Sequence, residues 1–382
     1  MKNIVTKSTS IRLALVWMVV LAFIFFGEAI DMNNLQPTTA ALYFTILLGT
    51  IILASFGVVK EADALAHKLG EPYGTLILTL SIVLIEVVLI SAVMLGPAES
   101  ATIGKDSIFA VMMIIMNLVV GLSILMGGLK YGEQAYNAQG TLTYLSMIVV
   151  LGGLALLLPN SIIGAGGGAF STTQAVSIAT LTLVLYVCFL AYQIKGYKHL
   201  YMQPAAGAVS IPFQERAKAA TTPETTHTKT ASNEILIRSI VLVAMVLPIV
   251  LLSHNMATVV DYGISAAQLP KELGGILIAI IVFTPESITA IKAAMNNEFQ
   301  RAINLCHGAF VSTVGLTVPA VLIIGLLTGK QVLFGLTSTE TLLFSLTLLL
   351  SFISFAGKKT TPILGIIHLV LFAMFVLLVF SP

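Results

Sequence analysis

Eleven apolar runs, each long enough to cross a lipid bilayer, leave this chain little choice of fold. They fall at 13–30, 40–58, 74–96, 106–129, 141–158 and 174–194, then at 235–254, 273–295, 303–328, 336–356 and 362–380. Hydrocarbon offers a bare peptide group no hydrogen-bond partner, so a spanning segment must satisfy its own backbone. An α-helix does that within one run of about 20 residues. Charged residues make up 9% of the chain and hydrophobic ones 57%, and the mean hydropathy is +1.01; an ordinary soluble domain is about 25% charged. The expected fold class is therefore all-α membrane, with 11 transmembrane helices surrounded by lipid. A formal net charge of +2, with the basic residues spread along loops, speaks against nucleic acid as a partner. Cys188 and Cys306 lie in apolar runs and read as small buried hydrophobes, so neither a disulfide nor a thiolate metal site is expected. Lys2, Lys7 and Arg12 ahead of run 13–30 have the outline of a secretory signal, yet no small-residue cleavage pattern follows. This run reads as an uncleaved anchor helix.

With the N-terminus placed in the cytoplasm, all but three of the 19 Lys and Arg residues fall inside, the exceptions being Lys105, Lys271 and Lys330. The positive-inside bias thus predicts a cytoplasmic N-terminus and an outer C-terminus. The one long polar stretch, 196–233, is rich in Thr, Ala, Lys and Pro and reads as a cytoplasmic linker. Leaving aside the first helix, five spans precede it and five follow. Five is odd, so two copies of such a unit face opposite ways, as in the inverted repeats of many secondary transporters. The expected organisation is an extra N-terminal helix over 1–38, a first five-helix repeat over 39–195, the linker over 196–233, and a second five-helix repeat over 234–382.

The repeat is visible in residues too. Gly74 precedes Glu86 by 12 positions, and Gly274 precedes Glu286 by 12, the second pair lying 200 residues after the first. At 1.5 Å of rise per residue each carboxylate lies roughly 18 Å from its glycine, near the middle of a slab about 30 Å thick. The next helices also match, with Val120-Gly121-Leu122-Ser123 in one half and Val314-Gly315-Leu316-Thr317 in the other. A charge at the midplane costs on the order of 2.5–3.5 kcal/mol, which makes each acid a candidate functional group. Burial disfavours the ionised form, so such a carboxylate takes up a proton or binds a cation. Two carboxylates that face each other hold two protons or one divalent cation, and the two cargoes exclude one another.

A hard cation needs further oxygens, at about 2.3–2.6 Å for calcium. Pro285 has no amide hydrogen, which leaves the Ile281 carbonyl without its helical partner and makes it a candidate ligand. Thr284 and Ser287 flank Glu286, while Thr75, Thr79 and Glu86 share one helical stripe. Asn117 and Ser312 lie on the helices that follow the acid-bearing ones. Helix–helix packing is the alternative role for each of these polar groups. His307, inside the ninth span, is a candidate proton relay; the alternative is a ring satisfied by a neighbouring carbonyl. Glu28 and Asp31 close the first span at its outer end, where a surface role is expected.

Taken together, these residues resemble the cation/proton exchangers of the calcium/cation antiporter superfamily, most closely its bacterial ChaA-type calcium, sodium and potassium/proton antiporters. The resemblance covers nearly all of the chain after the first helix. It rests on the Gly74 to Glu86 and Gly274 to Glu286 segments, on Thr284-Pro-Glu-Ser-Ile-Thr-Ala-Ile and on Ala302-Ile-Asn-Leu-Cys-His-Gly-Ala. Gly127-Gly128 followed by Glu133-Gln134-Ala135-Tyr136-Asn137 is a further match. The resemblance implies ten core helices in two inverted halves plus one extra N-terminal helix, with cation and protons bound by Glu86 and Glu286 and moved by alternating access. Calcium-selective members carry a Gly-Asn-Ala-x-Glu core. This chain has Ile82-Val83-Leu84-Ile85-Glu86 and Val282-Phe283-Thr284-Pro285-Glu286 instead, and its linker holds no acidic run, so Ca2+, Na+ and K+ all stay open as cargo.

The expected function is a proton-driven antiporter of a prokaryotic inner (plasma) membrane, exporting Ca2+, with Na+ and K+ as alternatives, while protons enter. A cation channel or uniporter with a midplane acidic selectivity site is the alternative. No cofactor is expected, and an enzyme is not, because no His-Glu-x-x-His pair, nucleophile elbow or catalytic aspartate pair occurs. The sequence leaves a homo-oligomer open.

Overall fold

The computed structural model describes residues 6–26, 36–69, 73–96, 100–163, 166–204 and 229–381. Within them the helices are α1 (Lys7–Phe26), α2 (Pro37–Leu69), α3 (Tyr73–Met94), α4 (Ile103–Tyr131), α5 (Ala138–Ser161), α6 (Thr172–Lys195), α7 (Lys229–Ala266), α8 (Leu273–Met295), α9 (Phe299–Thr328), α10 (Ser338–Phe355) and α11 (Pro362–Phe380). Among the described residues 10 are long and apolar enough to cross a membrane; in α3 the apolar stretch, Leu80–Met94, is shorter. Local chemistry sets several boundaries. Ser171 and Thr337 close capping boxes with Gln174 and Glu340 at the starts of α6 and α10. Pro362 opens α11, where its missing N–H costs nothing, and Gly329 ends α9 in the left-handed region at φ 69°.

Two helices outrun the expected ends of their apolar runs. The polar connectors after 58 and 254 continue as helix, to Leu69 in α2 and Ala266 in α7. In α2 the reason is that the polar residues find partners within the bundle. Glu61, 3% exposed, accepts from Arg238 of α7 at 2.9 Å and from Thr9 of α1 at 3.4 Å, and Lys68 pairs with Glu234 at 3.0 Å. α2 and α7 lie along one another with α1 against both, and the Trp17 indole donates to the Ala244 carbonyl at 2.9 Å.

Other contacts show which helix ends share a side. The Thr9–Glu61–Arg238 cluster joins the starts of α1 and α7 to the end of α2. A two-stranded antiparallel pair, β1 (Gln134–Ala135) and β2 (Lys359–Thr360), with Gln134 opposite Thr360, ties the α4–α5 turn to the α10–α11 turn. Lys130 and Tyr131 at the end of α4 donate to the Met295 carbonyl at the end of α8, at 2.8 and 3.0 Å. Lys105 lies at the starts of α4 and α10, between Asp106 (3.3 Å) and Glu340 (3.0 Å). Each grouping gathers the ends that an up-and-down run of successive helices brings to one side.

The core is built on α4 and α9, which are 83% and 67% buried over their most apolar windows, against 17% for α11 and 22% for α1. Gly275 lets α8 approach α4 closely, because a Cβ there would lie 2.5 Å from the Asp106 carbonyl carbon and the Ser107 nitrogen. Among the described residues three helices contain a π-turn: Met113–Val119 in α4, Gly153–Leu157 in α5 and Thr313–Thr317 in α9. Pro159 and Pro319 follow the last two, and their missing N–H groups break the regular ladder. The π-turns of α4 and α9 begin 200 residues apart, the same offset as Glu86 and Glu286. Such turns are frequent at functional sites.

Candidate cation and proton site

Helices α3 and α8 pack against each other, and the π-turn of α9 packs against α3. Glu86 projects from α3 into this junction and is fully buried. Its Oε2 accepts from the Thr313 hydroxyl at 3.0 Å and the Thr317 hydroxyl at 2.9 Å, while its Oε1 has no partner among the described residues. Glu286 of α8 is 7% exposed, and its Oε2 has no partner there either. The two carboxylates are close enough for their charges to act on each other, and Cys306 of α9 lies within the field of Glu286.

Two neighbouring carboxylates in a dry centre cannot both stay ionised without a counter-charge, which protons or a cation supply. Each threonine hydroxyl that donates to Glu86 keeps lone pairs. These hydroxyls and the unpartnered carboxylate oxygens of Glu86 and Glu286 are all oxygen donors. Among the described residues no three His, Cys, Asp or Glu side chains gather to hold a metal. A cation here would rest on oxygen, the donor preferred by hard ions such as Ca2+ and Na+ rather than by zinc.

The other residues singled out from the sequence are placed variously. Ile281 is buried one turn before Glu286. Thr284 is half-buried and donates to its own helix at the Ile280 carbonyl (2.5 Å), as Ser287 does at Phe283 (2.7 Å); both line an apolar groove with Ile280 and Phe372. Ser312 is buried with its hydroxyl on the Ala309 carbonyl at 2.7 Å. Asn117 is fully buried in the π-turn of α4, bonded to Thr347 and His368 rather than to either acid. His307 is fully buried, with Nδ1 3.3 Å from the Ile303 carbonyl, its ring edge-to-face with Phe355, and Nε2 without a partner among the described residues. The side chains of Thr75 and Thr79, together with Glu28 and Asp31, lie outside the described residues.

The structure thus brings Glu86 and Glu286 together and adds Thr313 and Thr317, to which the sequence reading gave no role at the site. The available signal was a pair of threonines four residues apart, two residues before Pro319. Replacing either one with valine is expected to raise the half-saturating cation concentration by about 10- to 100-fold, because each change removes one hydrogen bond to a buried charge, worth about 1.5–3 kcal/mol. Flux titrations in proteoliposomes read this directly, and an unchanged value would mean that the hydroxyls do not serve the cation.

Comparison with known proteins agrees with this architecture. The model of the family described as "Sodium/calcium exchanger protein" matches residues 39–195 and 238–381, two blocks on either side of the linker. The sodium-potassium/proton antiporter ChaA of Escherichia coli (strain K12) is 32% identical over 345 residues, 90% of each chain. The putative ionic transporter y4hA of Sinorhizobium fredii (strain NBRC 101917 / NGR234) is 30% identical over 355 residues, 93% of each. Among solved structures, native YfkE superposes with a TM-score of 0.71 at 17% identity, covering 97% of this chain and 100% of that one. The H+/Ca2+ exchanger CAX gives 0.67 at 13% identity, covering 97% and 89%. With both blocks matched over this length, the chain belongs to the sodium/calcium exchanger protein family, whose members are transporters and not enzymes.

Proposed function

We propose that the chain is a cation/proton antiporter of a prokaryotic plasma membrane, exporting Ca2+, or Na+ or K+, by alternating access while protons enter. The observation that carries this reading is the pair of buried carboxylates on two helices in contact, α3 and α8, 200 residues apart in the chain. In the doubly ionised, unloaded state the centre would hold two uncompensated charges in a dry interior, which is costly; loading with two protons or a cation removes most of that cost. Only loaded states then interconvert readily, which couples the two fluxes.

In the topology proposed for this cycle all eleven helices cross, with α1 as the extra helix, α2–α6 and α7–α11 as inverted five-helix halves, the N-terminus in the cytoplasm and 196–233 as a cytoplasmic linker. The paired helix ends described above favour that alternation. A divalent cation exchanged for two protons leaves the membrane potential unchanged, whereas a monovalent cation exchanged for two protons carries net charge. The name of the Escherichia coli relative favours monovalent cargo, and the matches to Ca(2+)/H(+) antiporters of Synechocystis sp. and Bacillus subtilis favour calcium.

The test is a pH jump across sealed proteoliposomes containing Ca2+, Na+ or K+ in turn. An antiporter drives one of these ions up its own gradient at the expense of the proton gradient. Strictly downhill cation movement without proton counterflow would refute the reading and leave a channel or uniporter.

A further inference from the structure

Asn117 anchors a buried chain of hydrogen bonds across three helices. Its Nδ2 donates to the Thr347 hydroxyl of α10 at 2.9 Å, and Thr347 in turn faces the Met113 sulfur at 3.7 Å. Its Oδ1 lies 3.2 Å from Nδ1 of His368 on α11, and Nε2 of that ring is 3.1 Å from the Ser354 hydroxyl of α10. Asn117, Thr347 and His368 are fully buried and Ser354 is 2% exposed. The directions follow from the groups themselves. The Asn117 amide nitrogen is committed to Thr347, so its oxygen faces the ring, and an amide oxygen can only accept. Nδ1 therefore carries the proton, and Nε2 accepts from Ser354.

The register of the repeat gives this chain a meaning. Asn117 and Thr317 are 200 residues apart, as are Glu86 and Glu286, and both lie in the π-turns of their helices. Thr317 bonds Glu86. The π-turn of α4 packs against α8, the helix of Glu286, whose Oε2 is without a partner among the described residues. One lone pair of Asn117 Oδ1 is held by His368, and a second remains. We propose that His368 is a positioning residue of the cation site, holding the Asn117 amide so that its oxygen is offered to the cation on the Glu286 side, at the place in the repeat where Thr317 donates to Glu86 on the other. A buried polar network costs desolvation at every member, and an apolar helix contact at this place would avoid that cost. The proposal rests on the antiporter reading above.

The test compares two substitutions in the full-length protein in proteoliposomes, with half-saturating cation concentration and maximal exchange rate measured separately. His368→Asn places an amide N–H where Nδ1 stood and keeps the bond to Asn117, whereas His368→Gln places its donor at the level of Nε2 and loses that bond. His368→Gln is expected to raise the half-saturating concentration about tenfold, the value of one buried hydrogen bond, with the maximal rate within about twofold of the unsubstituted protein. His368→Asn is expected to recover most of the affinity. Equal half-saturation in the two variants, or a fall in maximal rate at unchanged half-saturation, overturns the proposal, the latter because it marks a proton relay. Failure of the antiporter reading is distinguishable, since the unsubstituted protein would then show no uphill exchange at all.

Discussion

Glu86→Gln and Glu286→Gln are each expected to abolish cation/proton exchange while the protein still inserts and folds. Glutamine has nearly the same shape, so α3 and α8 can still pack, and at position 86 its carbonyl oxygen still accepts from Thr313 and Thr317. What glutamine cannot do is release a proton or present a negative charge to a cation. A cation in this dry centre would lose one of its two compensating charges, and leaving a buried charge without its partner costs about 3–5 kcal/mol. That corresponds to a loss of roughly two to three orders of magnitude in affinity. Dye-detected proton flux in proteoliposomes, beside thermal melting in detergent, separates function from folding. Exchange above a tenth of the normal rate in either variant, with normal melting, would remove that acid from the site.

The two acids could be read from the sequence because a carboxylate inside an apolar run has no inexpensive explanation, and because the 12-residue spacing to a glycine occurs twice. The threonines could not. In this protein a serine or threonine inside a helix commonly returns its hydroxyl to the carbonyl four residues back, as Thr50, Ser55, Ser81, Thr182, Thr284 and Ser287 do. A threonine in the sequence therefore does not announce whether it faces its own backbone or another helix. Thr313 and Thr317 differ because the π-turn re-aims their side chains across to α3, and only Pro319 hints at that turn. Thr284 and Ser287 illustrate the converse, since adjacency to Glu286 in sequence places them on other faces of α8. The long ends of α2 and α7 were hidden for a related reason. Glu61 and Lys68 read as a connector until their partners, Arg238 and Glu234, are brought alongside from the far half of the chain.

Lys105→Met is expected to be strongly destabilising although it lies outside the site. The ammonium of Lys105 lies 3.1 and 3.0 Å from the two carboxylate oxygens of Glu340 and 3.3 Å from Asp106, with side-chain exposures of 7% for the lysine, 14% for Glu340 and 3% for Asp106. Methionine fills similar volume but removes the positive charge from between two carboxylates that water scarcely reaches. Breaking a buried ion pair in this way costs about 3–5 kcal/mol, mostly the penalty of the charges left behind. The two acids differ in what they keep. Glu340 retains the Thr337 backbone N–H of its capping box at 2.7 Å, and Asp106 retains the Thr102 hydroxyl on Oδ2 at 2.7 Å, but Oδ1 of Asp106 has no hydrogen bond among the described residues. Adding Asp106→Asn to Lys105→Met should therefore restore more stability than adding Glu340→Gln. The backbone of Asp106 also packs against Gly275, so the loss should loosen the contact between α4 and α8 as well as the tie to α10. Denaturation of the purified single and double variants in detergent measures both effects. A melting temperature for Lys105→Met equal to that of the unsubstituted protein would show that Lys105 does not hold this end of the bundle.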